Sequence, residues 1–116
     1  MTATAANSSY QRACAARDVP AGVPVRVDVD GVPVALARCD DGLIRAIYDE
    51  CSHASIALSE GELDGCTIEC WLHGSRFDLR TGYPTGLPAT RPVPVFPVLI
   101  EGDGDDAVVL VDISTA

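Results

Sequence analysis

The sequence predicts an all-β fold, an antiparallel sandwich or barrel, from three observations. Short β-branched runs alternate apolar and polar residues around turn signals, with Asp30-Gly31 and Asp41-Gly42 the clearest hairpin pairs. No window longer than about a turn sustains an apolar period of 3.6 residues, so helices should be few and short. The prolines, Pro20, Pro24, Pro33, Pro84, Pro88, Pro92, Pro94 and Pro97, suit loops, strand starts and edges and would break a helical bundle.

The elements follow in order. Residues 1–9, "MTATAANSS", have no apolar period and no basic segment leading into an apolar one, so they read as a flexible tail and not a signal peptide. An edge strand is expected over 10–14, then strands over 25–29, 32–38 and 43–49. "CTIEC" from Cys66 reads as a further strand, and "RTGYPTGLPATRPVP" from Arg80 as a Gly- and Pro-rich loop. Two last strands, over 93–100 and 107–113, are split by "EGDGDD". With 116 residues, 47% hydrophobic and 22% charged, and no repeat or linker, residues 10–116 read as one globular domain.

Charge and cysteine usage narrow the function. The net charge is −9, from 17 acidic residues against 8 basic ones, all arginine. Such a surface repels a phosphate backbone, so nucleic acid is excluded as a partner; a basic protein surface fits better, unless the acidity only maintains solubility. No stretch approaches the roughly 20 apolar residues of a membrane span, and a cytoplasmic protein is expected. Five cysteines is an odd number without a secreted disulfide spacing. Reduced thiols follow, with Cys14, Cys39 and Cys66 read as small, partly buried hydrophobes.

The chemistry concentrates in two runs, "ECSH" from Glu50 and "ECWLH" from Glu69, which use both histidines of the chain. They place Cys51-x-His53 and Cys70-x-x-His73 in loops after strand-like runs, sixteen residues apart, with Gly61, Gly65 and Gly74 to form turns. Two thiolates and two imidazoles in close pairs are the donor set of a soft or borderline metal centre. A single tetrahedral zinc ion and a binuclear iron-sulfur centre both meet that description.

Cys-x-His, about sixteen residues, then Cys-x-x-His is also the pattern of Rieske [2Fe-2S] proteins, in which two cysteines hold one iron and two histidines the other. The sequence resembles that family over nearly its whole length, through "CSHASIALSEGELDGCTIECWLHGSRFDLRTG" and "GLPATRPVPVFPV" as well as the earlier strands. Most closely it resembles the small soluble ferredoxins of bacteria, especially the actinobacterial kind. The resemblance implies a Rieske-type antiparallel β-sandwich with a cluster-binding subdomain formed by two loops, and one [2Fe-2S] cluster. Cys51 and Cys70 would hold one iron, and His53 and His73 the other. Gly86, Leu87 and Pro88 align with the proline loop that covers the cluster.

The same resemblance speaks to potential. With two neutral imidazoles the oxidised centre is neutral, so an electron is taken up more easily than by a four-thiolate centre, and the family spans about −150 to +300 mV. The disulfide that joins the ligand loops in high-potential members is replaced by Ile56 and Leu72, and the serine and tyrosine hydroxyls near their sulfurs by Ser75 and Phe77. One donor fewer implies the low end of the range, and a potential nearly independent of pH around neutrality. Trp71 is open to two roles, packing anchor or docking aromatic, and Asp49, Glu50, Glu60, Glu62, Asp64 and Glu69 suggest an acidic docking rim.

The implied function is that of a monomeric one-electron carrier between a ferredoxin reductase and a terminal acceptor, an oxygenase first among them. The chain has no catalytic residues of its own, because a mononuclear oxygenase iron would need two further histidines. Two alternatives stand beside this: an accessory or sensor protein of iron-sulfur biogenesis, and a zinc-bound interaction module.

Overall fold

The computed structural model describes residues 9–52, 55–72, 74–87 and 89–115. The predicted tail therefore lies almost wholly outside the described residues, as do His53, His73 and Pro88. Ten strands form three antiparallel sheets. β1 (Gln11–Ala15), β10 (Val108–Val111) and β9 (Val98–Glu101) make the first, in the order β1-β10-β9. β2 (Val25–Val29), β3 (Val32–Arg38), β4 (Ile44–Tyr48) and β8 (Val95–Phe96) make the second, and β5 (Leu63–Asp64), β6 (Thr67–Glu69) and β7 (Arg76–Asp78) the small third. The helical elements among the described residues are 3-10 turns of three residues each. None is long and apolar enough to cross a membrane.

The β2–β3 hairpin turns on Asp30-Gly31, both at positive φ (51° and 83°), which is what a two-residue turn matched to strand twist demands. Alternation predicts one buried face for β3, but both of its faces are covered. Val34 and Leu36 enter one core with Ala46, Phe96, Val109 and Val111, while Ala35 and Ala37 enter another with Ile47, Leu58, Ile68, Phe77 and Leu79. The second sheet is thus a shared wall. On one side it packs against the β1-β10-β9 sheet, and on the other its small alanines admit the third sheet and its loops.

Two expectations are corrected. The strand expected over 93–100 is broken at Pro97, which lacks an N–H for a ladder. The chain changes sheets there: β8 pairs with β4 and β9 with β10, and the Pro97 carbonyl accepts from Asp112 N–H at 3.1 Å. Cys39 and Cys66 are not free thiols but form a disulfide. An odd cysteine count does not forbid one pair, and the fold brings the end of β3 against the β5–β6 turn, Cα to Cα 4.7 Å. Asp40 N–H donates to the Gly65 carbonyl at the same joint, 3.2 Å. Cys14 is buried and not disulfide-bonded, as expected, and burial pushes its thiol pKa up.

Candidate metal centre

Cys51 and Cys70 lie in one buried cluster with Leu58, Ile68, Phe77, Leu79 and Ala89, and neither is disulfide-bonded. Each opens a loop closed in the same way. Cys51 N–H donates to the Ile56 carbonyl at 2.9 Å, and Cys70 N–H to the Ser75 carbonyl at 2.7 Å, five residues on in both cases. The second loop is tightened by Gly74, at φ +78°, whose N–H donates to the Cys70 carbonyl at 2.8 Å. The histidine positions fall inside these two loops.

Local sequence explains how the ends of the loops are held. The first returns through the 3-10 turn Leu58–Glu60, whose Leu58 is buried against the cysteines. Gly61 follows, and its role differs from the tight turn expected of it: its backbone is extended, and a Cβ there would overlap the Glu69 carbonyl. Glycine is required for close approach of the first loop's return to β6, where Glu69 N–H donates to the Glu62 carbonyl at 2.9 Å. Gly65 and Gly74 do occupy turns at positive φ.

Ser75 is buried, and its Oγ accepts from Ala89 N–H at 3.0 Å. That bond ties the β7 entry to the segment after the proline loop. The hydroxyl proton has no acceptor among the described residues, so it is available to a sulfur placed between the loops. Phe77 is buried in the β6–β7 hairpin opposite Ile68. Ile56 is half-buried and Leu72 exposed, and Gly86 and Leu87 stand exposed, Leu87 at 78%.

Trp71 resolves as a surface aromatic: it is 53% exposed and its Nε1–H donates to Glu60 Oε1 at 3.2 Å. The expected acidic rim needs one correction. Glu60, Glu62 and Asp64 are exposed, and Glu69 pairs with Arg76 at 3.3 Å, but Asp49 is buried. Its carboxylate accepts from Ser59 N–H at 2.7 Å and Ser59 Oγ–H at 2.6 Å, so it faces inward to the loop it precedes. The sequence signal for this was faint, an acid at the end of an apolar strand with a serine ten residues on. Two buried cysteines, two loops closed on their own backbones and a hydroxyl proton with no acceptor among the described residues fit a sulfide-bearing centre with cysteine ligands.

Comparison with known proteins agrees with the geometry. The Rieske [2Fe-2S] domain family matches residues 9–97. The 3-phenylpropionate/cinnamic acid dioxygenase ferredoxin subunit of Escherichia coli K12 is 45% identical over 91 residues, covering 78% of this chain and 84% of that one. The Sphingomonas yanoikuyae B1 ferredoxin superposes with a TM-score of 0.81 at 33% identity, covering 89% of this chain and 97% of that one. A ferredoxin solved in complex with the oxygenase of carbazole 1,9a-dioxygenase superposes at 0.74 with 39% identity, covering 85% and 99%. The chain therefore belongs to the Rieske [2Fe-2S] family as one of its ferredoxins, an electron carrier whose cofactor is the [2Fe-2S] cluster of that family.

Proposed function

We propose that this ferredoxin takes single electrons from a reductase and delivers them to a terminal oxygenase, with Cys51 and Cys70 on one iron of its cluster and His53 and His73 on the other. The observation that carries the ligand assignment is the pair of equivalent loops, each opened by a buried cysteine that is not disulfide-bonded and closed five residues later. The relatives support the partner: one is a dioxygenase ferredoxin subunit, and another was solved with its oxygenase.

When bound, such a cluster accepts and releases one electron with no transfer of atoms. The chain's residues do the rest. Ser75 donates its hydroxyl proton toward the cluster while its oxygen holds Ala89. Phe77 offers no hydroxyl, which leaves the added charge less stabilised and the potential low. The covering loop is assigned to Gly86, Leu87 and Pro88 by resemblance to the family, and Gly86 and Leu87 stand exposed. Trp71, Leu72 and Leu87 give the docking face exposed apolar area, and Glu60, Glu62 and Asp64 give it negative charge for a basic partner. A cytoplasmic monomer with no membrane or nucleic-acid partner completes the reading. Burial of Cys39 and Cys66 shields their disulfide from the reductants of that compartment.

The test is visible absorption and low-temperature EPR of anaerobically purified protein before and after dithionite, with iron and sulfide analysis. Partial bleaching, a rhombic reduced signal and matched iron and sulfide are expected, followed by reduction of a Rieske oxygenase at a rate that falls with ionic strength. Colourless protein with stoichiometric zinc would overturn the cluster, and a rate insensitive to salt would overturn the acidic docking face.

A further inference from the structure

Asp49 is the one acidic residue beside the ligand loops that the fold takes out of water. Its side chain is fully buried, and both carboxylate oxygens are held: Oδ1 by Ser59 N–H at 2.7 Å, Oδ2 by Ser59 Oγ–H at 2.6 Å. Arg26 of β2, half exposed, brings Nη1 to 3.7 Å from Oδ2. Asp49 N–H donates to the Pro33 carbonyl at 3.0 Å, which anchors the residue to β3. Pro33 has no N–H to return.

The position of this carboxylate gives it leverage. Asp49 ends the β4 side of the first ligand loop, and Ser59 sits in the 3-10 turn that begins its return. The residue before that turn, Ala57, has no side chain able to cap it. Asp49 therefore supplies the cap from across the loop and ties together the two ends of the segment that contains Cys51. A buried charge is also weakly screened, so its field acts on neighbouring redox centres more strongly than that of a rim carboxylate.

We infer that Asp49 is a positioning residue for the Cys51 loop and a fixed buried anion that, opposed by Arg26, holds down the reduction potential of the bound cluster. This rests on the ferredoxin reading above. It adds a second cause of low potential besides the missing hydroxyl at Phe77, and one that has an opposing charge on the same face of the molecule.

The test is equilibrium redox titration of cluster-loaded wild type, Asp49→Asn and Arg26→Gln, with the half-life of the cluster under chelator measured on each. Asp49→Asn retains an oxygen acceptor for Ser59 N–H but removes the charge. It should raise the midpoint so that the reduced-to-oxidised ratio at the wild-type midpoint rises about threefold or more, about 30 mV at 59 mV per decade. Its cluster should also be lost faster. Arg26→Gln, at a half-exposed site, should fold normally and shift the midpoint in the opposite direction by a smaller amount. Shifts of opposite sign establish the charge pair. Unchanged midpoints in both variants overturn the inference, even if cluster lifetime falls. Should Asp49→Asn fail to load, the sign of the Arg26→Gln shift decides alone. Wild-type protein without a cluster would instead refute the ferredoxin reading, so the two failures are distinguishable.

Discussion

Breaking the Cys39–Cys66 bond should loosen the joint between the second sheet and the third, and the size of the effect can be worked from the chain. The bond spans 27 residues. Closing a loop of that length removes about 12 cal/mol/K from the unfolded chain in the chain-entropy treatment, or about 3.5 kcal/mol at 25 °C. With an unfolding entropy of about 2.1 cal/mol/K per residue, that corresponds to a fall in Tm of roughly 14 °C for a chain of this length. Beside the bond, the joint is held by Asp40 N–H donating to the Gly65 carbonyl at 3.2 Å and by the packing of Ala35, Ala37 and Ile47 against Ile68, Phe77 and Leu79. The assay compares wild-type protein with a double variant, Cys39→Ser with Cys66→Ser, scanned anaerobically at one rate because loss of the centre makes unfolding irreversible. Amide exchange should become faster in β5, β6 and β7 than in β2 and β3. A Tm change of less than a quarter of that figure would refute the claim that this bond staples the sheets. So would recovery of both thiols in the reduced form from freshly lysed cells.

Other perturbations have defined outcomes. Gly61→Ala drives a Cβ into the Glu69 carbonyl, so the return of the first loop must move away from β6; a loss of roughly 1–3 kcal/mol in denaturant unfolding is expected, together with faster release of the centre. Ser75→Ala leaves the buried Ala89 N–H without its acceptor. It should cost about 1–3 kcal/mol and lower the midpoint potential by removing a donor, both readable on one preparation. Asp112 is held below the usual carboxylate range by the Ser114 hydroxyl first, then by Ser114 N–H and the Ser9 hydroxyl, against the opposing effect of burial. Its folded pKa is depressed from about 3.8, so its contribution is complete above that value and is lost as pH falls through the lower folded one. Ser114→Ala should therefore flatten the acid limb of the stability curve, as followed by unfolding midpoints between neutral pH and the acid transition.

What could be read from the sequence was whatever depends on local period or on ligand chemistry. The Asp30-Gly31 hairpin needs only two residues able to take positive φ, and its strands were placed to the residue over 25–29 and 32–38. The paired cysteines carried the centre because few other roles gather both histidines of a chain beside two thiols. Pro97 falls inside the strand expected over 93–100, because nothing local shows that the strand before it belongs to one sheet and the strand after it to another. The strands β5 and β7 are two and three residues long, too short to show a period of two.

The features that escaped are those in which distant residues meet. Cys39 and Cys66 look like two of three spare cysteines until β3 is laid against the β5–β6 turn. Asp49 looks like one carboxylate among six until Ser59 folds back onto it, and then its charge belongs to the interior. Ala35 and Ala37 look like weak strand formers in a run of stronger ones. They are small because β3 has a second buried face, and the third sheet with its two cysteine loops packs there. The residues of the proposed site thus fall into two classes. Cys51 and Cys70 declare themselves by chemistry, while Ala35, Ala37, Gly61 and Asp49 matter through the space or charge they leave at a junction, and only the assembled fold shows where the junctions are.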